Sequence, residues 1–151
     1  MARFDVEQAA AVAAIKQVIY EWGDELDLNN GSGIKDANIL TADCRYFVGD
    51  QWREGIGQIG EFYQQRLASM KAAGPVLVMR HIISNEKVAF LDESRAKIDF
   101  LLTFFAKAGD APFVDYCDPL AVADVQMECS KESDGHWRIS MFTSGQIFRR
   151  G

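Results

Sequence analysis

The stretch Val76-Leu77-Val78-Met79-Arg80-His81-Ile82-Ile83-Ser84-Asn85 decides how this 151-residue chain is read. Its apolar run spells a buried strand over 76–84. Side chains of an extended strand alternate between faces, so Leu77, Met79, His81 and Ile83 share one face and Val78, Arg80 and Ile82 the other. His81, one of only two histidines, therefore points where the apolar residues point. An imidazole that titrates near neutrality in an apolar setting suits proton transfer. It equally suits a core histidine satisfied by one hydrogen bond. The second histidine, His136, stands beside a turn signal.

Beyond this strand the pattern stays extended. Residues 88–91 form a short strand, and a long one over 94–107 puts Ala96, Ile98, Phe100, Leu102, Phe104 and Ala106 on one face. A strand of that length must bend or coil. Residues 109–119 form an exposed loop. Strands over 120–130 and 136–148 follow, joined by Ser133-Asp134-Gly135, a hairpin signal.

Before it the chain is mostly helical. Residues 5–28 form a first helix, with Asp5 and Gln8 as a capping box. Val12, Ile15, Val18, Ile19, Trp22 and Leu26 recur at three- and four-residue steps as its apolar face. Asn29-Asn30-Gly31-Ser32-Gly33 stops it. Asp27 falls in its last turn at the edge of the buried stripe. A carboxylate there meets the negative end of the helix dipole, which is mildly unfavourable, so Asp27 reads either as a solvated acid, as Asp24 and Glu25 do, or as an acid held by a cationic or N–H partner. Residues 34–40 suit a short second helix, 44–48 a strand closed by the turn Gly49-Asp50, and 56–73 a third helix ended by Gly74-Pro75. Helices first and then a meander of long antiparallel strands indicate an α+β fold. Bent strands curl around the helices into a cone with an apolar pocket.

Composition narrows the function. Hydrophobic residues at 48% and charged residues at 25% are ordinary for a soluble globular chain, and residues 1–151 read as one domain. A net charge of −6 argues against a nucleic-acid partner, which requires a basic face. The 3 cysteines, Cys44, Cys117 and Cys129, are widely spaced, and no CxxC pair, basic-then-apolar leader or long apolar run is present. The expectation is a cytoplasmic protein with free thiols, not bound to a membrane, with no metal and no cofactor. Tyr20, Tyr46, Trp52 and Tyr63 are amphipathic aromatics able to offer a donor to a ligand oxygen or simply to pack in the core.

Taken in order, the opening helix with Ala14-Ile15 leading to Asp27, Thr41-Ala42-Asp43-Cys44-Arg45-Tyr46, Gly55 at the third helix, His81-Ile82-Ile83-Ser84-Asn85 and Gly135-His136-Trp137-Arg138-Ile139 resemble a SnoaL-like protein. That family belongs to the nuclear-transport-factor-like superfamily of cone-shaped α+β barrels. The resemblance to scytalone dehydratase and related dehydratases and isomerases implies a catalytic His81–Asp27 pair. It also implies a substrate pocket that includes Tyr46, and no cofactor; Tyr20, Trp52 and Tyr63, by their donor chemistry, and Trp22 are further candidates for that pocket. Trp22 stands where some eliminating relatives carry lysine or tyrosine. Met141, Phe142 and Thr143 stand where many carry arginine or histidine, which implies an apolar, neutral ligand. Two functions are expected. One is a cofactor-independent dehydratase or isomerase of a small hydrophobic oxygenated cyclic compound. The other is a non-catalytic ligand-binding domain or the small (beta) subunit of a ring-hydroxylating dioxygenase. The large apolar strand faces suggest a homo-oligomer, dimer or trimer.

Overall fold

Helix α1 (Val6–Asn29) begins at the expected cap: Gln8 N donates to Asp5 Oδ1 at 2.7 Å and Asp5 N donates to Gln8 Oε1 at 3.1 Å. Its stripe of Ile15, Val18, Ile19, Trp22 and Leu26 is buried. The helix ends where Asn30 turns left-handed at φ 55° and Gly31 N donates back to Glu25 O at 3.1 Å. The described residues are 3–151 of a computed structural model.

The short helix expected over 34–40 does not form. Within that span Asn38 has a φ of 62°, which no right-handed helix tolerates. The backbone instead makes separate turns, with Ile34 N on Gly31 O and Asp36 N on Gly33 O. Glu25 is also corrected. It is a buried acid rather than a solvated one, and its carboxylate accepts from Gly33 N at 2.7 Å and Asn29 Nδ2 at 2.7 Å. A loop with few backbone partners of its own is thus held by a helix side chain.

The remaining elements are β1 (Leu40–Val48), β2 (Gln51–Glu54), α2 (Gly55–Ala73), β3 (Leu77–Asp92), β4 (Arg95–Ala108), β5 (Ala121–Lys131) and β6 (Trp137–Arg149). They form one six-stranded sheet in the order β2-β1-β6-β5-β4-β3. Only β1 and β6 are parallel. β2 and β3 remain as edges, so the sheet curls around the helices without closing. The strands expected over 76–84 and 88–91 are one strand, β3. A register shift between Ser84 and Lys87, with Asn85 at φ 58°, bends it without ending it.

Cross-strand register assembles the inner face in rows. His81 lies opposite Phe104, Phe104 opposite Ala121, and Ala121 opposite Arg149. The next row is Ile83, Leu102, Ala123 and Gln146. Further along, Ile98, Met127, Phe142 and Tyr46 form a row whose members are nearly or fully buried. Alanines at 121 and 123 leave room under the helices at one end; large side chains fill the other. α1 runs antiparallel to β3: the Phe4 and Phe90 rings meet at 5.8 Å, Tyr20 reaches Glu86, and Asp27 reaches His81. Among the described residues no helix is long and apolar enough to cross a membrane.

Candidate active site

Asp27 and His81 are 54 positions apart in sequence and meet because α1 and β3 run side by side. Asp27 Oδ1 lies 2.6 Å from His81 Nδ1, and both carboxylate oxygens accept from His81 N, at 3.1 and 3.0 Å. The side chains are only 8% and 12% exposed. The partner that Asp27 requires at a helix C-terminus is therefore a backbone N–H and a ring nitrogen together. A carboxylate only accepts, so Nδ1 carries the hydrogen and Nε2 of the neutral ring keeps a free lone pair. Among the described residues no protein group bonds Nε2. The His81 ring rests on Phe104, with centroids 4.7 Å apart, and faces Trp22 at 6.0 Å.

A second polar chain starts at Trp22. Its Nε1 donates to Tyr46 Oη at 2.8 Å, and Tyr46 Oη lies 2.8 Å from Tyr63 Oη. Phe142 stacks on Tyr46 at 4.4 Å. Burial pushes the Tyr46 hydroxyl well above the ordinary range, and burial likewise pushes Tyr63 up to about 12. Both are neutral phenols at physiological pH.

A cavity of about 500 Å³ opens between these groups and the sheet. Trp22, Leu26, Met79, Leu102, Phe104 and Phe142 make its apolar depth, and His81 and Tyr63 stand in its wall. Its rim is polar: Asn30, Asp50, Arg66, Ser144, Gln146 and Arg149. The expected apolar pocket is thus apolar only in its depth. Phe142 does reach it, as the stretch 141–143 suggested, but charged groups arrive from further along β6 and from α2. Sequence reading missed these rim residues. Ser144 and Gln146 continue the alternation of Phe142 on the inner face, which is the one signal that points to them.

The structure brings Asp27, His81, Trp22 and Tyr63 together. Tyr46 belongs to the same cluster but lies behind the cavity wall, 0% exposed. Tyr20 and Trp52 are elsewhere, which corrects the expectation that they line the pocket. Tyr20 sits two helical turns back along α1, 42% exposed, with its hydroxyl on Glu86 beside the bend of β3. Trp52 is 41% exposed on the edge strand β2, packed on Phe47 at 5.5 Å under the Arg45 guanidinium at 4.8 Å. Both are large amphipathic rings that find their partners at the surface. Among the described residues no group of three or more His, Cys, Asp or Glu is placed to hold a metal ion.

Comparison with known proteins agrees with this architecture. Residues 7–143 match the SnoaL-like domain family. No curated protein sequence matches the chain. Among solved structures, ActVI-ORFA from Streptomyces coelicolor superposes with a TM-score of 0.77 at 10% identity, over 95% of this chain and 99% of that one. Hexachlorocyclohexane dehydrochlorinase LinA-type3 from Novosphingobium barchaimii LL02 gives 0.75 at 13% identity, over 97% and 93%. An NTF2-like protein with a cystatin-like fold from Novosphingobium aromaticivorans gives 0.69 at 15%, over 97% and 92%. At such identities the superpositions speak for the fold alone. With the family match spanning residues 7–143 of the chain, this protein belongs to the SnoaL-like domain family.

Proposed function

We propose that this protein is a cofactor-independent lyase or isomerase that takes a proton from carbon in a small, largely hydrophobic, oxygenated cyclic compound. One observation carries the reading: a 2.6 Å bond from His81 Nδ1 to Asp27, with the ring in the wall of a cavity. Asp27 holds the tautomer that leaves Nε2 basic and stabilises the imidazolium formed when Nε2 accepts a proton. A base positioned in this way contributes roughly 10²–10⁴-fold in rate. The apolar depth suits a ring system. The polar rim suits oxygen substituents left near solvent. A dehydrochlorinase among the structural neighbours fits an eliminating chemistry on this fold, though not this chain's substrate.

The test is exchange of α-hydrogens for deuterium in heavy water across a panel of hydroxylated mono- and bicyclic ketones, followed by mass spectrometry. The wild-type protein is expected to label at least one member. His81→Ala and Asp27→Asn are expected to lose that labelling while remaining folded. Full exchange in both variants would overturn the reading.

Assembly draws on a different surface. Ile82, Thr103, Val122 and Phe148 form a row across the outer face of β3 to β6, with Ile82 49% and Phe148 68% exposed. Such a row supports association through the sheet, and we read it as a self-association surface. Light scattering of the purified protein distinguishes a homo-oligomer from a monomer that awaits a different subunit.

A further inference from the structure

The hydrogen-bond chain from Trp22 has a direction. An indole N–H only donates, so Tyr46 Oη accepts it. Were Tyr63 to donate to Tyr46 as well, the Tyr46 hydrogen would lack an acceptor. Tyr46 is 0% exposed, and its side chain bonds only Trp22 and Tyr63 among the described residues. Buried donors are rarely left in that state. Tyr46 therefore donates to Tyr63. The Tyr63 hydrogen is then left over, on a side chain that lines the cavity.

We propose that Tyr63 is a catalytic residue: its hydroxyl donates to the carbonyl or enolate oxygen of a cyclic ketone whose C–H bond faces His81 Nε2, with Tyr46 and Trp22 as positioning residues. This rests on the reading of His81 as the base. The carbon proton passes to Nε2, and the C–H electron pair moves through the α-carbon onto the oxygen held by Tyr63. In an elimination, the pair returns to form the new double bond as a β-hydroxyl leaves, taking the proton from His81 and departing as water. In an isomerisation the same proton returns to a different carbon. Either way the negative charge grows at the oxygen, where a donor placed beforehand is most effective.

Three features of the site support this. Donors in series polarise one another, so Trp22 and Tyr46 make Tyr63 a better donor than an isolated phenol. The Arg66 guanidinium, one turn further along α2, also lines the cavity and favours negative charge near Tyr63. The Tyr63 ring is held in place: a Cβ on Gly31 would lie 2.5 Å from Tyr63 Cδ1, so the loop after α1 packs directly on the ring.

The experiment uses 4-nitrophenol as a stand-in for the enolate and reads its ionisation in the bound state by absorbance. Bound to the wild-type protein, the phenol is expected to ionise about one pH unit lower than in buffer, a tenfold gain for the anion. Tyr63→Phe is expected to abolish the shift and Tyr46→Phe to reduce it, a change that loss of packing alone would not produce. His81→Ala is expected to keep the shift while losing deuterium exchange. Exchange in Tyr63→Phe is expected to fall by about 10²-fold. An unshifted probe in the wild type, or an equal shift in wild type and Tyr63→Phe, overturns the role of Tyr63 even if His81 proves essential. Exchange that survives His81→Ala, with the shift still dependent on Tyr63, removes the base and keeps the donor.

Discussion

At one end of β5 the Asp27–His81 pair closes at 2.6 Å; at the other end Arg138 is held by Asp134 at 2.7 Å and Glu132 at 2.8 Å. Both are short contacts around a side chain that solvent scarcely reaches: His81 is 12% and Arg138 7% exposed. Arg138 spends its donors locally, with Nε on Asn38 Oδ1 at 3.0 Å and both terminal nitrogens on carboxylates. A guanidinium stays charged at every accessible pH and offers no lone pair. His81 uses one nitrogen and keeps the other. Proximity of opposite charges is thus common to both ends. What differs is an unused basic atom in the wall of a cavity: His81 keeps one, and Arg138 has none.

The largest expected effect lies there. His81→Ala is expected to slow carbon-proton exchange by roughly 10²–10⁴-fold, with the urea midpoint little moved. Arg138→Leu is expected to do the reverse. It should cost about 2–3 kcal/mol in chemical denaturation, since it strips charge-assisted bonds from a buried donor, and leave exchange per folded molecule unchanged. Lost turnover in folded Arg138→Leu would break the comparison.

Next comes Gly31→Ala, at the border of the cavity. The residue has φ 74°, and an added Cβ meets the Tyr63 ring at 2.5 Å. A cost of about 1–3 kcal/mol is expected by thermal unfolding, from backbone strain and crowding together.

A smaller effect concerns acid. Hydrogen bonding from Arg138 holds the Asp134 carboxyl well below the usual carboxylate range. A group with a depressed folded pKa stabilises the fold fully above its unfolded value of about 4, and that contribution is lost as pH falls toward the folded value. Asp134→Asn is expected to flatten the dependence of the unfolding midpoint on pH below about 4. An unchanged acid slope would remove the Asp134 bond from the account of the closed end.

The smallest effect is a count of thiols. Burial pushes Cys44 and Cys129 up to about 12, so at mildly alkaline pH both remain protonated and covered. Cys117, in the loop between β4 and β5, is only partly covered. A thiol reagent is expected to label Cys117 quickly in the native protein and the other two only on unfolding. Rapid labelling of Cys44 would mean that the filled end opens as readily as the cavity end.

Much of this molecule was legible before folding was considered. The apolar spacing of α1 and its Asp5–Gln8 cap, the long alternating β4 and the Ser133-Asp134-Gly135 hairpin are local patterns set by helix and strand periods, and the structure keeps them. Two expectations failed because of single left-handed residues. Asn38 interrupts the helix expected over 34–40, while Asn85 bends β3 where a break was expected. Periodicity averages over a window and does not register one unusual φ.

The candidate site divides in the same way. The residue types at 27 and 81 and their resemblance to a family pattern were present in the sequence. Tyr46 and Tyr63 were visible as amphipathic rings, but so were Tyr20 and Trp52, which went to the surface. Nothing along the chain separates these four, because each can satisfy its polar atom either in the core or at an edge. The antiparallel run of α1 along β3 made the Asp27–His81 contact. The register of β3 to β6 carried Phe104, Gln146 and Arg149 to the cavity, and Gly31 admitted the Tyr63 ring. Sequence alone determined which segments have an apolar face, since that follows from neighbours a few residues apart. Only the tertiary structure decided which polar groups face one another across the cavity, since that depends on the register between segments far apart in the chain.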